Sequence, residues 1–360
     1  ADEVPLSDDR IVAAPQSVVA GYIARMAAHR DNSTESSVTV VLTPMHGVGG
    51  ATAMQVLHDA GIPDVHPVPK QFDPDPNFPT VSFPNPEEPG ALDLSLELAA
   101  ESGADVVIAL DPDADRCSMA IPQPGGGWRQ LTGDEIGALL GDQAAHDDSR
   151  SGDTLACSIV SSRLLGKIAE ASGLKAAATL TGFKWIARTP GIRFGYEEAI
   201  GYCADPDAVH DKDGVGAAVR VVTLVEGLAA QGKTVQDKLD DLAREHGLYA
   251  TSQLSFRVSD LALIAAAMAT LRATPPTALI GSPVVEYADL AEGYRGLPPT
   301  DGLLLLTEAD DRVIIRPSGT EPKLKCYLES VLPVTGEVPR AAAAERIAAI
   351  KAELTALLGF

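Results

Sequence analysis

Three aspartates, each separated from the next by one residue, follow an apolar run in the first third of the sequence. Residues 106–110 (Val-Val-Ile-Ala-Leu) have the composition of a buried strand, and the acidic loop, residues 111–116 (Asp-Pro-Asp-Ala-Asp-Arg), follows directly. Carboxylates this close repel one another unless a cation lies between them, and Mg²⁺ prefers such oxygen ligands. The spacing predicts a divalent-cation site at Asp111, Asp113 and Asp115, with Arg116 available to pair with a phosphate anion.

Other uses of an acidic loop after a strand fit this stretch less well. A calcium-binding EF-hand loop needs glycine at its sixth position and glutamate at its twelfth, where this sequence has Arg116 and Pro122. The nucleophile loop of haloacid dehalogenases needs threonine or valine two residues after its second aspartate, and Asp115 stands there. A solvated acidic loop without chemistry is the remaining alternative.

Two further stretches contain residues suited to a sugar or a phosphate. The glutamate loop, residues 193–202, places the adjacent Glu197 and Glu198 between glycines, and each carboxylate can accept several hydrogen bonds from sugar hydroxyls. The arginine loop, residues 316–323 (Arg-Pro-Ser-Gly-Thr-Glu-Pro-Lys), combines two cations, two hydroxyls and a glycine turn, which fits phosphate binding. The alternatives are a solvated acidic turn for the glutamate loop and a structural turn for the arginine loop.

A glycine-rich turn at residues 43–50 follows a predicted strand and precedes a predicted helix. A helix N-terminus placed in this way can bind phosphate. The turn has neither a Walker lysine nor a G-x-G-x-x-G pattern. Close packing of the turn against its neighbours is therefore the alternative explanation for its glycines.

The composition disfavours several classes of protein. A net charge of −22 repels nucleic acid and anionic membranes, so an anionic ligand must be held by local arginine, lysine and backbone N–H groups. The four cysteines are scattered without a C-x-x-C pair, which favours a reduced, cytoplasmic chain over a disulfide framework. No signal peptide and no apolar run of transmembrane length is visible.

The order of predicted elements places the acidic loop at a strand end. Strands and helices alternate over residues 1–130 and again over 131–250, which predicts two doubly wound α/β domains. Residues 251–360 contain a strand, a helix, a hairpin, a further strand and a C-terminal helix, which predict a smaller α+β domain with an antiparallel sheet. In open α/β sheets, ligands bind beyond the carboxyl ends of the strands.

In this order and at these separations, the acidic, glutamate and arginine loops resemble those of the α-D-phosphohexomutase family, which includes phosphoglucomutases and phosphomannomutases. The resemblance covers the whole chain as that family's second, third and fourth domains. It implies an isomerase that moves a phosphoryl group between C1 and C6 of a hexose, through a phosphoserine and a bisphosphate. The implied partners are glucose or mannose 1- and 6-phosphates and sugar bisphosphate, and the implied cofactor is Mg²⁺.

The resemblance also implies roles for individual residues. The three aspartates would bind Mg²⁺, Arg116 would lie beside the reacting phosphate, and Lys184 in Gly-Phe-Lys-Trp would contact the substrate. Glu197, with Glu198 beside it, would hold sugar hydroxyls. The non-reacting phosphate would be bound by residues of the arginine loop, namely Arg316, Ser318, Gly319, Thr320 and Lys323.

Two departures from the family pattern matter. Ala199 stands where the family's sugar-binding loop has a serine, which resembles a subgroup that includes phosphopentomutases. The family's phosphoserine lies in a Thr-Ala-Ser-His-Asn-Pro type of loop, and no Ser-His-Asn occurs in this sequence. We therefore expect a fragment that lacks the phosphoserine domain and is inactive alone. The alternatives are a phosphopentomutase, a non-catalytic protein that binds sugar phosphate or Mg²⁺, and a phosphatase with an aspartate nucleophile.

Overall fold

The computed structural model describes residues 12–258, 260–318 and 322–359. Within these ranges the chain forms three successive units, each organised around its own sheet. The sheets of the first two units are mixed, and the main sheet of the third is antiparallel. This arrangement confirms the predicted fold class of two α/β units followed by an α+β unit.

The first unit delivers the acidic loop at the end of a central strand. Its elements are α1 (Gln16–Ala27), β1 (Val40–Thr43), α2 (Gly50–Asp59), β2 (Val65–Pro67), α3 (Asp93–Ser102), β3 (Val106–Leu110), β4 (Cys117–Pro122) and β5 (Trp128–Gln130). In the order β2-β1-β3-β4-β5, β1 pairs in parallel with β2 and β3, whereas β4 and β5 run antiparallel. Every residue of β3 is buried, as its apolar composition predicts.

The second unit packs one of its helices against the first. Its elements are α4 (Gly133–Ala145), β6 (Thr154–Ser158), α5 (Leu164–Ala171), β7 (Lys175–Thr179), α6 (Phe183–Ile186), β8 (Ile192–Glu197), β9 (Gly201–Cys203), α7 (Gly214–Ala230) and α8 (Val235–His246). The strand order is β7-β6-β8-β9, with β9 antiparallel to its neighbour. Helix α7 contacts α1, α2, β3 and β4, so one apolar core continues through both units.

The third unit is an antiparallel sheet covered by helices. Its elements are β10 (Leu248–Arg257), α9 (Leu261–Ala273), β11 (Ala278–Leu279), β12 (Ser282–Asp289), a 3₁₀ helix (Leu290–Glu292), β13 (Leu303–Thr307), β14 (Asp311–Pro317), β15 (Lys323–Leu332) and α10 (Arg340–Leu358). The strand order is β10-β15-β14-β13-β12-β11. Ile347, Ile350 and Leu354 of α10 recur at helical spacing and enter the core of this unit.

A buried charged cluster joins the second and third units. The Ser162 hydroxyl and the Arg163 N–H each donate to Glu329 Oε1 at 2.8 Å, and Arg163 Nε donates to the other oxygen. Arg312 Nε lies 3.5 Å from the same carboxylate. Burial acts to raise the pKa of Glu329, but the guanidinium groups of Arg312 and Arg163 outweigh it and hold that pKa below its usual value.

The described residues contain neither a single membrane-spanning helix nor a disulfide bond. Within the described residues no single helix is both long and apolar enough to span a membrane, and α7 with α8 would qualify only as a pair bent by 87°. The four cysteines are buried and unpaired. Burial raises the pKa of each thiol, including that of Cys326 to about 12, which keeps these thiols protonated at neutral pH.

Candidate functional site

The acidic loop bends so that its three carboxylates converge. Oxygen atoms of Asp111, Asp113 and Asp115 all lie within 4.8 Å of one another. Ala114 has a φ of 60°, a left-handed conformation that turns the chain back, and its N–H donates to the Asp111 carbonyl at 2.9 Å. Burial, with repulsion from the other two carboxylates, raises the pKa of Asp111 to about 7. A hard divalent cation would relieve this repulsion, so the donor set fits Mg²⁺.

The glycine-rich turn packs directly against the acidic loop. A Cβ atom on Gly47 would lie 2.4 Å from the backbone of Pro112, and one on Gly49 would lie 2.3 Å from Ala114 Cβ. The Val48 N–H donates to the Pro112 carbonyl at 2.8 Å. Since a larger residue would displace the acidic loop, packing explains these two glycines better than phosphate binding by the turn does.

Two basic side chains lie close to the aspartates of the acidic loop. Arg116 Nε lies 3.8 Å from Asp115 Oδ1, and Lys212 Nζ lies 3.0 Å from Asp115 Oδ2. Burial acts to lower the pKa of Lys212, but Asp115 and Glu197 outweigh it and raise that pKa. Lys212 was not predicted from the sequence. Its signal is a lysine between two aspartates just before a helix, a pattern that is also common at surface turns.

Backbone contacts hold the glutamate loop beside the acidic loop. Arg116 forms an isolated antiparallel bridge with Gly201, and the Cys117 N–H donates to the Ile200 carbonyl at 3.0 Å. The first N–H of α7, from Gly214, donates to the Ala114 carbonyl at 3.1 Å. The structure thereby brings together two loops that lie far apart in the sequence.

The two glutamates of this loop have different surroundings. Glu198 Oε2 accepts hydrogen bonds from the hydroxyls of Ser158 and Ser161, both at 3.0 Å. Burial and the neighbouring Glu198 charge raise the pKa of Glu197 to about 7, although Lys212 and Arg116 act in the opposite direction. Glu198 is thus held in one orientation, and Glu197 lies among the charges of the acidic loop.

A cleft of about 730 Å³ separates the three units. Its described lining includes charged residues from each unit, namely Glu87, Glu88, Arg116, Asp134, Glu198, Lys323 and Lys325. Burial raises the pKa of Glu87 to about 7 and that of Asp134 to about 6, with Glu198 contributing to both. Cations and hydrogen-bond acceptors that converge in this way suit a ligand carrying both an anionic group and hydroxyls.

The arginine loop lies partly within the described structure. Arg316 donates to the Thr181 hydroxyl of the second unit, and the Ser318 N–H donates to the Lys323 carbonyl at 2.8 Å, which brings the ends of the loop together. Gly319 and Thr320 lie outside the described residues. Their predicted contribution to phosphate binding stays a prediction.

Lys184 is exposed on α6, shortly after Thr181 in the sequence. It does not line the described part of the cleft, whereas Arg116, Glu198 and Lys323 do. The structure therefore gathers the acidic loop, the glutamate loop and one end of the arginine loop, and leaves Lys184 at the surface. Glu87 and Lys325, which were not predicted from the sequence, join them in the cleft.

Three family models match the chain in order. They are described as phosphoglucomutase/phosphomannomutase alpha/beta/alpha domain II, alpha/beta/alpha domain III and C-terminal domain, and they match residues 20–126, 132–246 and 257–353. The chain belongs to this family. The match confirms the resemblance inferred from the three loops.

Named relatives point to phosphomutases. The chain is 43% identical over 328 residues to a probable phosphomannomutase of Haemophilus influenzae, covering 91% of this chain and 67% of that protein. It is 36% identical over 338 residues to the phosphopentomutase of Homo sapiens, covering 85% of this chain and 55% of that protein. The chain thus spans about two thirds of the length of the first relative and about half of the second.

A solved structure shares the fold. The phosphoglucomutase/phosphomannomutase family protein of Burkholderia thailandensis superposes with a TM-score of 0.67 at 19% identity, covering 94% of this chain and 64% of that one. Identity this low establishes the fold and leaves the roles of individual residues as predictions.

Proposed function

We propose that this chain provides the metal-, sugar- and phosphate-binding groups of a phosphohexomutase, which moves a phosphoryl group between C1 and C6 of a hexose. The observation that supports this best is the cleft, to which the three units contribute Arg116, Glu198 and Lys323. A sugar phosphate offers an anion and several hydroxyls, which match cations and carboxylates respectively. The family and the two named phosphomutases support the same class of reaction.

The acidic loop would hold Mg²⁺ through Asp111, Asp113 and Asp115. When bound, the ion offsets negative charge on the transferring phosphoryl group. The protein's own contribution is to hold the carboxylates within 4.8 Å of one another and to place the Arg116 guanidinium beside them, where it can bind phosphate oxygens. Lys212, at 3.0 Å from Asp115, orients that carboxylate.

The remaining loops would bind the sugar and the second phosphate. Glu197 and Glu198 would accept hydrogen bonds from sugar hydroxyls, and Lys184 would contact the substrate from the second unit. An arginine with hydroxyl and backbone donors binds phosphate whichever sugar carbon carries it. The arginine loop can therefore hold the non-reacting phosphate in both orientations of the bisphosphate intermediate, through Arg316, Ser318, Gly319, Thr320 and Lys323.

The phosphoserine that donates the phosphoryl group would lie outside these 360 residues, since the sequence has no Ser-His-Asn. The 360-residue chain should then bind a sugar bisphosphate and fail to isomerise a sugar monophosphate. Calorimetric titration with glucose 1,6-bisphosphate in the presence of Mg²⁺ tests the binding. We expect Glu198→Gln to weaken it at least about tenfold, because a charged acceptor contributes about 1.5–3 kcal/mol.

Glu97→Gln is the control for this titration, because Glu97 is exposed on α3 and does not line the described cleft. It removes one negative charge without touching the proposed site, so its affinity should equal that of the wild type. Equal losses in Glu198→Gln and Glu97→Gln, or no loss in either, would contradict the proposed site.

A phosphopentomutase is the second candidate, because Ala199 replaces a hydroxyl residue and the human phosphopentomutase is 36% identical. A smaller sugar needs fewer hydroxyl contacts from this loop. The test compares kcat/KM for glucose 1-phosphate and ribose 1-phosphate in a protein that contains both these residues and the phosphoserine segment. Preference for the hexose supports the first candidate, and preference for the pentose supports the second.

A further inference from the structure

A group of arginines surrounds a cavity at the opposite end of the second sheet from the cleft. Arg150 follows α4, Arg193 lies near the start of β8 and Arg220 lies within α7. Together with Arg25 and His29 from the first unit, they line a cavity of about 230 Å³. Arg193 and Glu197 are four positions apart on β8, which separates their Cα atoms by about 13 Å.

One carboxylate at this cavity is already paired. Asp205 accepts hydrogen bonds from Arg25 Nε at 2.6 Å and Arg25 Nη2 at 3.0 Å, and His29 Nε2 lies 3.0 Å from the same group. Asp207 lies at the exposed rim, where it accepts a hydrogen bond from the Ser151 hydroxyl at 2.6 Å. Among the described residues, Asp205 thus contacts Arg25 and His29 directly, and its charge also acts on Arg150 and Arg220 without a hydrogen bond to either.

Two of the remaining three arginines contact the carboxylate of Asp147. Arg150 Nε lies 3.3 Å and Arg220 Nη1 lies 3.1 Å from Asp147 Oδ2, whose other oxygen accepts from Ser149. Arg193 donates to the backbone carbonyls of Asp147 and Arg150, at 3.1 and 2.9 Å. Among the described residues, Asp147 is therefore the carboxylate that Arg150 and Arg220 contact directly, whereas Arg193 donates to backbone oxygens.

Buried nitrogen atoms at this cavity also lack partners. Among the described residues, His29 Nδ1, Arg193 Nε and Arg220 Nε are buried without a hydrogen bond. Only 5% of the His29 side chain, 10% of the Arg150 side chain and 14% of the Arg220 side chain is exposed. Burial and repulsion from Arg220 lower the pKa of Arg150 to about 10, and burial also lowers the pKa of Arg220. An anion would satisfy these groups.

We propose that Arg150, Arg193 and Arg220 bind a phosphoryl group, either as inorganic phosphate or as the phosphate end of a small metabolite. Guanidinium groups match phosphate because their forked N–H donors pair with two of its oxygens. The cavity volume of about 230 Å³ admits a phosphoryl group but is smaller than a typical site for a drug-sized ligand. Because Arg25 and His29 come from the first unit, the bound anion would join the first and second units.

Calorimetric titration with inorganic phosphate against chloride at equal ionic strength tests this site. Every protein in the comparison carries Arg316→Gln, so that phosphate binding by the arginine loop is weakened throughout. Adding Arg193→Gln should reduce the affinity by about 10- to 100-fold, because a charged donor to phosphate is lost. Adding Arg188→Gln, at an exposed arginine outside the described lining of the cavity, should leave the affinity unchanged.

The outcomes separate the sources of the phosphoryl group. Tight binding of inorganic phosphate that Arg193→Gln removes supports a site for the free ion. Weak binding of inorganic phosphate with tighter, Arg193-dependent binding of glucose 6-phosphate supports a metabolite site. Affinity that is equal in the Arg193→Gln and Arg188→Gln proteins, or absent in both and in their parent, would overturn the proposal.

A second measurement uses the unsubstituted protein and so does not depend on variants that fold. Phenylglyoxal modifies accessible guanidinium groups, and peptide mass spectrometry follows each arginine separately. Phosphate should slow the modification of Arg193 and Arg220 severalfold relative to the exposed Arg188. If Arg193 and Arg220 react in the absence of phosphate and react equally fast in its presence, the proposed site is contradicted.

Discussion

Replacing Glu329 with glutamine tests how the second and third units are held together. The Glu329 side chain is 1% exposed and interacts with both Arg163 and Arg312. Glutamine keeps the shape but removes the charge, which leaves two guanidinium groups without their shared counter-charge. Breaking a buried ion pair in this way costs about 3–5 kcal/mol. Because the Arg163 side chain is 31% exposed and also contacts Asp310 at 2.7 Å, part of the loss is compensated, and we expect the free energy of unfolding to fall by about 3 kcal/mol.

Hydrogen exchange in β15, followed by mass spectrometry, measures this loss at the affected strand. A change of about 3 kcal/mol corresponds to exchange that is about 100-fold faster. Asp241→Asn, followed by exchange in its own helix α8, is the matched control, because Asp241 also contacts two cations, Lys233 and Arg244, but its side chain is 40% exposed. The control should lower the free energy of unfolding by less than about 1 kcal/mol. Similar costs for both substitutions would refute the reasoning from burial.

The effect of Glu329→Gln should also depend on pH. The pKa of Glu329 in the folded chain is held below its usual value. A lowered folded-state pKa contributes stability that is fully present above the unfolded-state pKa and is lost as pH falls through the folded-state pKa. The difference in the free energy of unfolding between the wild type and Glu329→Gln should therefore be constant near neutrality and should shrink below about pH 4.3. A difference that persists undiminished to strongly acidic pH would contradict this interpretation.

Three further predictions concern the proposed mutase site. Asp113→Asn should weaken Mg²⁺ binding at least about tenfold by calorimetry, and unchanged affinity would count against the metal site. In a protein that contains the phosphoserine segment, Arg316→Ala should raise KM for the sugar phosphate by about 10- to 100-fold, since a charged donor contributes about 1.5–3 kcal/mol. An unaltered KM would exclude phosphate binding by Arg316. Gly49→Ala, whose Cβ would lie 2.3 Å from Ala114 Cβ, should lower the free energy of unfolding by about 1–3 kcal/mol and weaken Mg²⁺ binding. The control Gly125→Ala, whose Cβ would meet nothing within 4 Å, should change neither the stability nor the Mg²⁺ affinity.

Local patterns predicted much of the fold because each pattern was strong by itself. The apolar run before Asp111 is strand β3, residues 261–273 form helix α9, and the predicted hairpin corresponds to β13 and β14. Helix α8 (Val235–His246) was missed because half of its residues are charged and few are apolar. Strand β12 (Ser282–Asp289) was also missed, since none of its residues is fully buried and its apolar alternation is weak.

The candidate site could be predicted only in part, because its residues meet through the fold. The acidic loop contains its own signal, three carboxylates at alternate positions. Lys212 approaches Asp115 only because α7 begins beside the acidic loop, and Glu87 and Lys325 reach the cleft from different units. No local pattern indicates which loops will face one another, so these residues were found from the structure alone.

The most direct test of the proposed function is a ³¹P NMR time course of glucose 1-phosphate with Mg²⁺ and a trace of glucose 1,6-bisphosphate. We expect glucose 6-phosphate to accumulate with a protein that contains both these residues and the phosphoserine segment. With the 360-residue chain alone, we expect the glucose 1-phosphate signal to remain. Release of inorganic phosphate in either sample would indicate a phosphatase, and rapid isomerisation by the 360-residue chain alone would show that the phosphoryl donor lies within it. Either result would contradict the proposed division of the mutase between this chain and a separate phosphoserine segment.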